Sequence, residues 1–326
     1  MKKFLTRLVV FVALVVAMLV VLEIGFRCKP TGFKSKYAGL ERYAPEIEIL
    51  VLGHSHSDQG FNSRITRRRS YNMAMGFQHI YFDDCVAAQF LDRMDSLKCV
   101  VITPSYFHFY YSLANLKDLS GENLFNAVHF HLYWNVDSLP SGKIPGYVPK
   151  YNLEILNNPV TSYAQMFKYY IQNGLKPAGS SEPDPYGYGN PDVTVSEEFL
   201  DADGIHRARD HQPHYDGEIP EFSLTENYFI YDRLVKRCAE RGVKAAVVMF
   251  PCWHTYVENL DSFQLSGTRR MLQELALAND NCEVFDHMTD ERFGVGDFQD
   301  GIHLNLNGAN KMTRILEEEI ETMINE

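Results

Sequence analysis

The segment ILVLGHSHSDQGFN, residues 49–62, changes at one glycine from an apolar run to a polar cluster. The aliphatic run Ile49 to Leu52 is typical of a strand whose two faces are both buried in a parallel sheet. Gly53 permits a sharp turn at its end. The polar residues that follow are His54, Ser55, His56, Ser57 and Asp58. Either this is an ordinary turn from strand to helix, or it holds a nucleophile at the carboxyl end of a strand.

The rest of the chain alternates between buried strands and amphipathic helices. Further strands are predicted at residues 99–103, 243–251 and 282–287, and helical spacing of apolar residues occurs at 79–97, 266–280 and 307–323. This alternation predicts a flavodoxin-like, three-layer α/β/α fold with a mainly parallel sheet. Between about residues 105 and 222 the alternation is lost, so we expect a long insertion over the carboxyl edge of the sheet.

The N-terminus has the composition of a membrane anchor. Lys2, Lys3 and Arg7 precede an apolar stretch from Leu8 to Phe26, whose 19 residues approach the ~20 that a membrane-spanning helix needs. Because no A-x-A-like cleavage site follows, we expect an uncleaved transmembrane helix over 1–28, a linker over 29–46 and the α/β domain over 47–326. A short basic N-terminus usually stays in the cytoplasm, which predicts that the domain is exported.

Charge and cysteine content exclude several other classes. A net charge of -11 argues against a nucleic-acid partner, which would favour a basic face. The six cysteines show neither a disulfide framework nor CxxC metal spacing. Residues 204–216 fit either a zinc site or a solvated polar loop. The side chains that would form the zinc site are His206, Asp210, His211, His214 and Asp216. We adopt the loop interpretation, so no metal or other cofactor is predicted.

A second polar motif stands just before the last predicted helix. In DFQDGIHLNLNGA, residues 297–309, Asp300 precedes His303 by three positions. This spacing suits a turn in which the carboxylate binds Nδ1 of the ring and leaves Nε2 free to accept a proton from a serine. Serine is a poor nucleophile without such a base, so Ser55, His303 and Asp300 are the candidate catalytic residues. Taken alone, the motif also fits a loop in which Asn305 or Asn307 caps the helix.

A strand ending in G-x-S near the N-terminus, paired with D-x-x-H before the final helix, resembles the SGNH (GDSL-type) hydrolases. The resemblance covers roughly residues 47–104 and 225–323. It is strongest to the membrane-anchored bacterial envelope branch, which includes the D-alanyl transfer protein of teichoic acids and relatives acting on surface polysaccharides. It implies that Ser55 is the nucleophile, His303 the base and Asp300 the orienting acid. It also implies that the amides of Ser55 and Gly76 form the oxyanion hole.

The chain departs from the family pattern in two blocks. His54 stands where the family has an aspartate, and TPSYFHF (103–109) replaces a G-x-N-D turn. Ser105 or Asn72 would then complete the oxyanion hole. Three further residues are predicted beside the cleft, namely His56, Trp253 and His254. For each an alternative stays open, since His56 fits an exposed position and Trp253 a packed core. The aromatic residues at 106–111 fit either a sugar-stacking platform or the core of the insertion.

The resemblance implies a serine esterase or acyltransferase that forms an acyl-enzyme and needs no cofactor. Its expected substrate is an ester-linked acyl group, such as acetyl, on a cell-envelope glycan. Its expected place is the bacterial inner membrane, as a single-pass protein with a periplasmic domain and protein partners in the envelope. The alternative is a catalytically inactive SGNH-like binding or assembly component, which the altered blocks favour and the complete Ser/Asp/His set disfavours. A zinc-dependent hydrolase using the 206–216 histidines is a weaker alternative.

Overall fold

Five parallel strands form the sheet in this computed structural model. They are β1 Ile49–Gly53, β2 Ser70–Asn72, β3 Cys99–Thr103, β4 Lys244–Met249 and β5 Cys282–Asp286. Their spatial order, β2-β1-β3-β4-β5, is the order of flavodoxin-like doubly wound sheets. The predicted α/β fold with a parallel sheet is therefore confirmed, and β2 is a strand that the sequence pattern did not predict.

The structure describes residues 1–111, 121–136, 152–174, 184–190, 192–211 and 221–326, with only the backbone for 121–126 and 221–223. The α-helices are α1 Lys2–Cys28, α2 Gly32–Tyr43, α3 Ser55–Gly60, α4 Ile80–Phe90, α5 Gly121–Trp134, α6 Glu154–Asn157, α7 Val160–Asn173, α8 Glu197–Asp210, α9 Glu221–Ala239, α10 His254–Glu258, α11 Ser262–Ala278 and α12 Leu306–Asn325. The chain divides into an N-terminal unit, residues 1–35 and 119–183, and an α/β unit, residues 36–118 and 184–326.

The turn after β1 depends on a glycine. Gly53 has φ +130°, and a Cβ there would lie 2.6 Å from Cβ of Thr103 on the neighbouring strand. Its N–H donates to Oδ1 of the buried Asp83 (3.0 Å). His54 caps α3, because its Nδ1 accepts the N–H of His56 (3.4 Å). The chain therefore passes from strand to helix within two residues, and the helix begins at Ser55.

The last helix covers one face of the sheet. Met312, Leu316, Ile320 and Met323 of α12 are buried and share a core cluster with strand residues such as Val51. Their spacing of three and four positions is that of one helical face. The segment just after α3 is bonded to α12, because the N–H of Asn62 donates to Oγ1 of Thr313 (2.7 Å). These contacts fix the segment that carries Ser55 against the segment that follows His303.

The predicted linker at 29–46 is instead largely helical, since α2 occupies Gly32–Tyr43. Gly39 allows close packing of this helix, because a Cβ there would collide with the Tyr71 side chain. The Tyr71 hydroxyl donates to the Lys36 carbonyl (2.7 Å) and fixes the helix against β2. The chain therefore enters the α/β unit through packed structure.

The N-terminal unit contains α1 and the helices α5 to α7. Within the described ranges, α1 is the one helix long and apolar enough to cross a membrane. Near its end, the Glu23 carboxylate accepts the N–H groups of Glu154 (3.3 Å) and Ile155 (3.1 Å) at the start of α6. The helices at residues 121–173 show that the predicted insertion is partly regular structure.

Candidate active site

His303 and Asp300 form a hydrogen-bonded pair beside the carboxyl edge of the sheet. Nδ1 of His303 lies 2.9 Å from Oδ2 of Asp300, as the three-residue spacing suggested. The other carboxylate oxygen, Oδ1, accepts the main-chain N–H groups of Ile302 (3.0 Å) and His303 (2.9 Å). The turn therefore fixes the carboxylate, and the carboxylate fixes the orientation of the ring.

A third residue, Arg207 of α8, completes this pair, and sequence reasoning missed it. Its Nη2 donates to Oδ2 of Asp300 (3.0 Å), and its Nε donates to Oδ2 of Asp203 (2.8 Å). Asp203 also accepts the N–H of Gly301 (2.9 Å), so α8 is bonded to the turn at two points. The spacing of Asp203, Arg207 and His211 by four residues was a detectable sign of one helical face.

The surroundings of Asp300 favour its ionised form. Burial opposes ionisation, but the hydrogen bond from His303, the main-chain N–H groups and the charge of Arg207 outweigh burial and lower the pKa of Asp300. An ionised carboxylate on Nδ1 stabilises a positive charge that forms on the ring. The pair is thus built to accept a proton at Nε2.

Backbone contact brings α8 against the D-x-x-H turn. A Cβ on Gly301 would lie 2.6 Å from Cα and 2.7 Å from N of Gly204. On the other side of the turn, the Gly301 carbonyl accepts the N–H of Trp253 (3.0 Å). Two glycines therefore allow main chain to meet main chain, and the position of His303 depends on that contact.

Ser55 is the first residue of α3 and is half-buried. The next side chain, His56, is buried, and its ring centroid lies 5.6 Å from that of His303 in a T-shaped contact. The two segments are therefore adjacent. Nε2 of His303 is buried and has no hydrogen-bond partner among the described residues. The bond from Ser55 that a triad requires is not formed in this structure.

Further histidines surround the pair. The His54 ring contacts those of His56 (4.5 Å between centroids) and His108 (4.7 Å), and Nδ1 of His211 lies 2.9 Å from the Tyr256 hydroxyl. Burial lowers the pKa of His54 to about 3 and that of His211 to about 4. Burial and the neighbouring imidazoles also lower the pKa of His56 and His108. These rings are neutral at pH 7, so they add no positive charge around His303.

Besides the Ser55 amide, three other candidates for the oxyanion hole lie in different environments. The Asn72 amide is fully buried and donates to the carbonyls of Ser57 (2.7 Å) and Phe61 (2.9 Å). It holds the α3 segment through these bonds, and its part in an oxyanion hole stays a prediction. Ser105 follows β3 and is buried at the carboxyl edge of the sheet. Gly76 lies in a turn after β2 with open space where a Cβ would be, and its role stays a prediction.

Trp253 and His254, which were both predicted to lie beside the cleft, have different surroundings in the structure. Trp253 is buried in the core cluster against Phe298, and its Nε1 donates to Oδ1 of Asp201 (2.7 Å). It acts on the site through its main-chain bond to Gly301. His254 is exposed and lies 3.4 Å from carboxylate oxygens of Asp201 and Glu258. Trp253 thus has the packed position that the sequence also allowed, and a place for His254 beside the substrate stays a prediction.

The aromatic run after β3 is divided between core and surface. Tyr106 and Phe109 are fully buried, whereas Phe107, Tyr110 and Tyr111 are half-buried. The Phe107 ring lies 5.0 Å from that of His211. The core interpretation therefore holds for part of this run, and both Tyr106 and Phe107 contact His211.

The proposed zinc ligands do not converge in the part that is described. His206 is exposed and pairs loosely with Asp210 (3.5 Å), whereas His211 binds Tyr256. His214 and Asp216 lie outside the described residues. Within the described ranges, no group of three or more His, Cys, Asp or Glu side chains is arranged to hold a metal ion.

The chain matches several solved structures at low sequence identity. No protein-family model and no curated protein matches the chain. A provisionally assigned acylhydrolase from Bacteroides fragilis matches with 10% identity and a TM-score of 0.39, covering 91% of this chain and 99% of that chain. A protein provisionally described as a platelet activating factor from Streptococcus pneumonia matches with 12% identity and a TM-score of 0.39, covering 96% and 99%. At this level of similarity, the assignment of an activity rests on the site of this chain itself.

Proposed function

We propose that the chain is a serine-dependent esterase or acyltransferase, with Ser55 as nucleophile, His303 as general base and Asp300 as orienting acid. The observation that carries this proposal is the state of His303. Its Nδ1 is bound by an ionised carboxylate, and its Nε2 is buried and unpaired next to the segment that presents Ser55. A buried, unpaired imidazole nitrogen is costly unless it has a partner in the working complex.

The chemistry follows from these groups. Ser55 Oγ attacks the ester carbonyl carbon while its proton passes to Nε2 of His303, and Asp300 stabilises the imidazolium. Collapse of the tetrahedral intermediate breaks the ester bond, and His303 returns the proton to the departing alcohol oxygen. The acyl-enzyme is then released by water, which gives hydrolysis, or by a sugar hydroxyl, which gives transfer. The main-chain N–H groups of Ser55 and Gly76 are the proposed donors to the oxyanion.

The absence of a hydrogen bond between Ser55 and His303 is compatible with this proposal. Hydrogen bonds of catalytic groups are often long or misaligned without substrate and shorten in the substrate complex. Neutral His54 and His56 leave the imidazolium of His303 free of added charge repulsion. Substrate binding would complete the triad by bringing Oγ of Ser55 to Nε2 of His303.

For the substrate, the resemblance to envelope enzymes favours an acyl group, such as acetyl, on a cell-envelope glycan. The apolar helix α1 supports a location at the bacterial inner membrane. We propose that the α/β unit acts on the periplasmic side, where such glycans are found. The nature of the acceptor decides between esterase and acyltransferase.

The second candidate function is a catalytically inactive binding or assembly component of an envelope complex. The segment TPSYFHF, which stands in place of the family's G-x-N-D turn, favours it. It predicts a folded protein whose Ser55 has no unusual reactivity.

Labelling with a fluorophosphonate separates the two functions. The full chain in detergent is treated with the probe, and the modified peptide is located by mass spectrometry. A stoichiometric adduct on Ser55 that is lost in His303→Ala and strongly slowed in Asp300→Asn supports the enzyme. The matched control is Ser57→Ala, which removes a serine two positions away and should still be labelled. Folded protein without any adduct would favour the binding component.

A further inference from the structure

Helix α7 carries an exposed apolar stripe in the N-terminal unit. Val160, Phe167 and Ile171 are 86%, 53% and 84% exposed. With Ala164, which is also exposed, they are spaced by four, three and four positions and so form one helical face. Large apolar side chains grouped in this way mark a surface that contacts protein or lipid.

A neighbouring face of the same helix is already packed against the end of α1. The Tyr163 ring lies 4.8 Å from that of Phe26, and the Tyr170 hydroxyl donates to the Gly25 carbonyl (2.7 Å). Met166, between them, is buried and so close to Gly25 that a Cβ there would meet its sulfur at 2.8 Å. These contacts place α7 beside the final turn of the apolar helix.

That turn lies at a definite depth if α1 spans a bilayer. The apolar stretch from Leu8 to Phe26 is about 28 Å long at 1.5 Å per residue, close to the ~30 Å hydrocarbon core. Gly25 and Phe26 then lie at the boundary between hydrocarbon and headgroups. Because α7 packs on these two residues, it lies at the same boundary.

The distribution of residues around α7 fits that position. At about 100° per residue, the exposed stripe is centred roughly a quarter turn from the face that contacts α1. The side of the helix that faces away from α1 carries exposed polar residues, namely Thr161, Gln165, Lys168 and Gln172. The helix thus has one polar side and a wide apolar side, of which α1 covers only a part.

We propose that α7 is an interfacial membrane helix whose stripe of Val160, Ala164, Phe167 and Ile171 inserts into the lipid headgroup region. Tyrosines are enriched at this depth, and the helix carries them at 163, 169 and 170. The occupant of the stripe is lipid, because α7 packs at the end of α1 that lies at the boundary between hydrocarbon and headgroups. This inference rests on α1 as a membrane anchor and is independent of esterase chemistry. It gives the N-terminal unit a second contact with the bilayer besides the spanning helix.

Lipid quenching of a fluorescent label tests this proposal in the full chain. The half-buried native thiols are first removed with Cys28→Ser and Cys85→Ser. Single cysteines at Phe167→Cys or Ile171→Cys carry the environment-sensitive label NBD on the stripe, and Gln165→Cys or Gln172→Cys carries it on the polar side. Each variant is reconstituted in phosphatidylcholine–phosphatidylglycerol vesicles containing lipid with a doxyl group at carbon 5 of the acyl chain.

The stripe labels should be quenched at least about twofold more than the polar-side labels, because an interfacial helix buries its apolar face ~5–10 Å deep. A label at Leu14→Cys with doxyl at carbon 12 reports whether α1 spans the bilayer. Equal quenching on both sides of α7, with Leu14 quenched, overturns the proposal. A blue-shifted stripe label without lipid quenching also overturns it and shows that protein, from this chain or a second copy, covers the stripe. If the label at Leu14→Cys is not quenched, α1 does not span the bilayer, and the proposal is overturned.

Discussion

Substitution of Gly301 by alanine tests whether main-chain contact positions the catalytic pair. The new Cβ would lie 2.6 Å from Cα of Gly204, whereas carbon atoms at an optimal separation are about 3.5 Å apart or more. The turn and α8 must therefore separate by roughly 1 Å, and neither can yield by rotating a side chain because both atoms belong to main chain. Overpacking of this kind typically costs about 1–3 kcal/mol.

The separation should affect reactivity more than stability. Gly301 stands between Asp300 and His303, and its N–H is bonded to Asp203 of the same helix (2.9 Å). A displacement of ~1 Å in a catalytic group can reduce the rate by ~100-fold. For an α/β unit of this size, the stability loss should lower Tm by only about 2–10 °C. We therefore expect Gly301→Ala to fold and to react with fluorophosphonate about 100-fold more slowly.

The assay measures Tm by circular dichroism and the rate of Ser55 labelling by mass spectrometry. Gly294→Ala is the matched control, because it lies in the same loop and a Cβ there meets nothing within 4 Å. It should keep both the wild-type Tm and the wild-type rate. If Gly301→Ala also reacts at the wild-type rate, the contact with α8 does not position His303, and the reasoning is refuted.

Three further predictions concern charge and pH. Arg207→Gln removes a cation that helps to lower the pKa of Asp300, so that pKa, followed by carbon-13 NMR of labelled aspartate, should rise, whereas exposed Arg209→Gln should leave it unchanged. Burial raises the pKa of Asp83 to about 7, so its contribution to stability is present below pH ~4 and is lost as the pH rises to about 7. In Asp83→Asn this pH-dependent loss of stability, on the order of 4 kcal/mol, should be absent when urea unfolding is compared at pH 4.5 and 8. Burial lowers the pKa of His79 to about 4, so its contribution to stability is present above pH ~6.5 and is lost as the pH falls toward 4. In His79→Asn about 3 kcal/mol of this acid-induced loss should be absent, and an unchanged acid unfolding transition would contradict the lowered pKa of His79.

Local pattern was sufficient for several features of this protein. The apolar runs predicted β1, β3 and β4, because strands buried on both faces must be apolar throughout, and the partly apolar segment at β5 was predicted as a strand as well. Three-residue spacing also sufficed for the bond between Asp300 and His303, since a turn of that length brings the two side chains together. β2 was missed because three residues, Ser70–Asn72, are too few to show a periodicity.

Long-range contacts account for what the sequence pattern did not show. Asn72 is the last residue of β2, and its amide donates to the main chain of the Ser55 segment, which only the packed turn determines. Trp253 follows a strand, yet it lies in the core cluster, and its Nε1 donates to Asp201.

The amino-acid sequence by itself determined the fold class, the apolar N-terminal helix and the Asp300–His303 pair, because each depends on residues close together in the chain. Only the tertiary structure decided that Arg207 joins the pair across 93 positions, that Gly204 and Gly301 meet main chain to main chain, and that Nε2 of His303 is buried without a partner among the described residues. These features depend on how α8 packs on a distant turn. Such packing is set by the sum of many contacts, and no local pattern of residues encodes it.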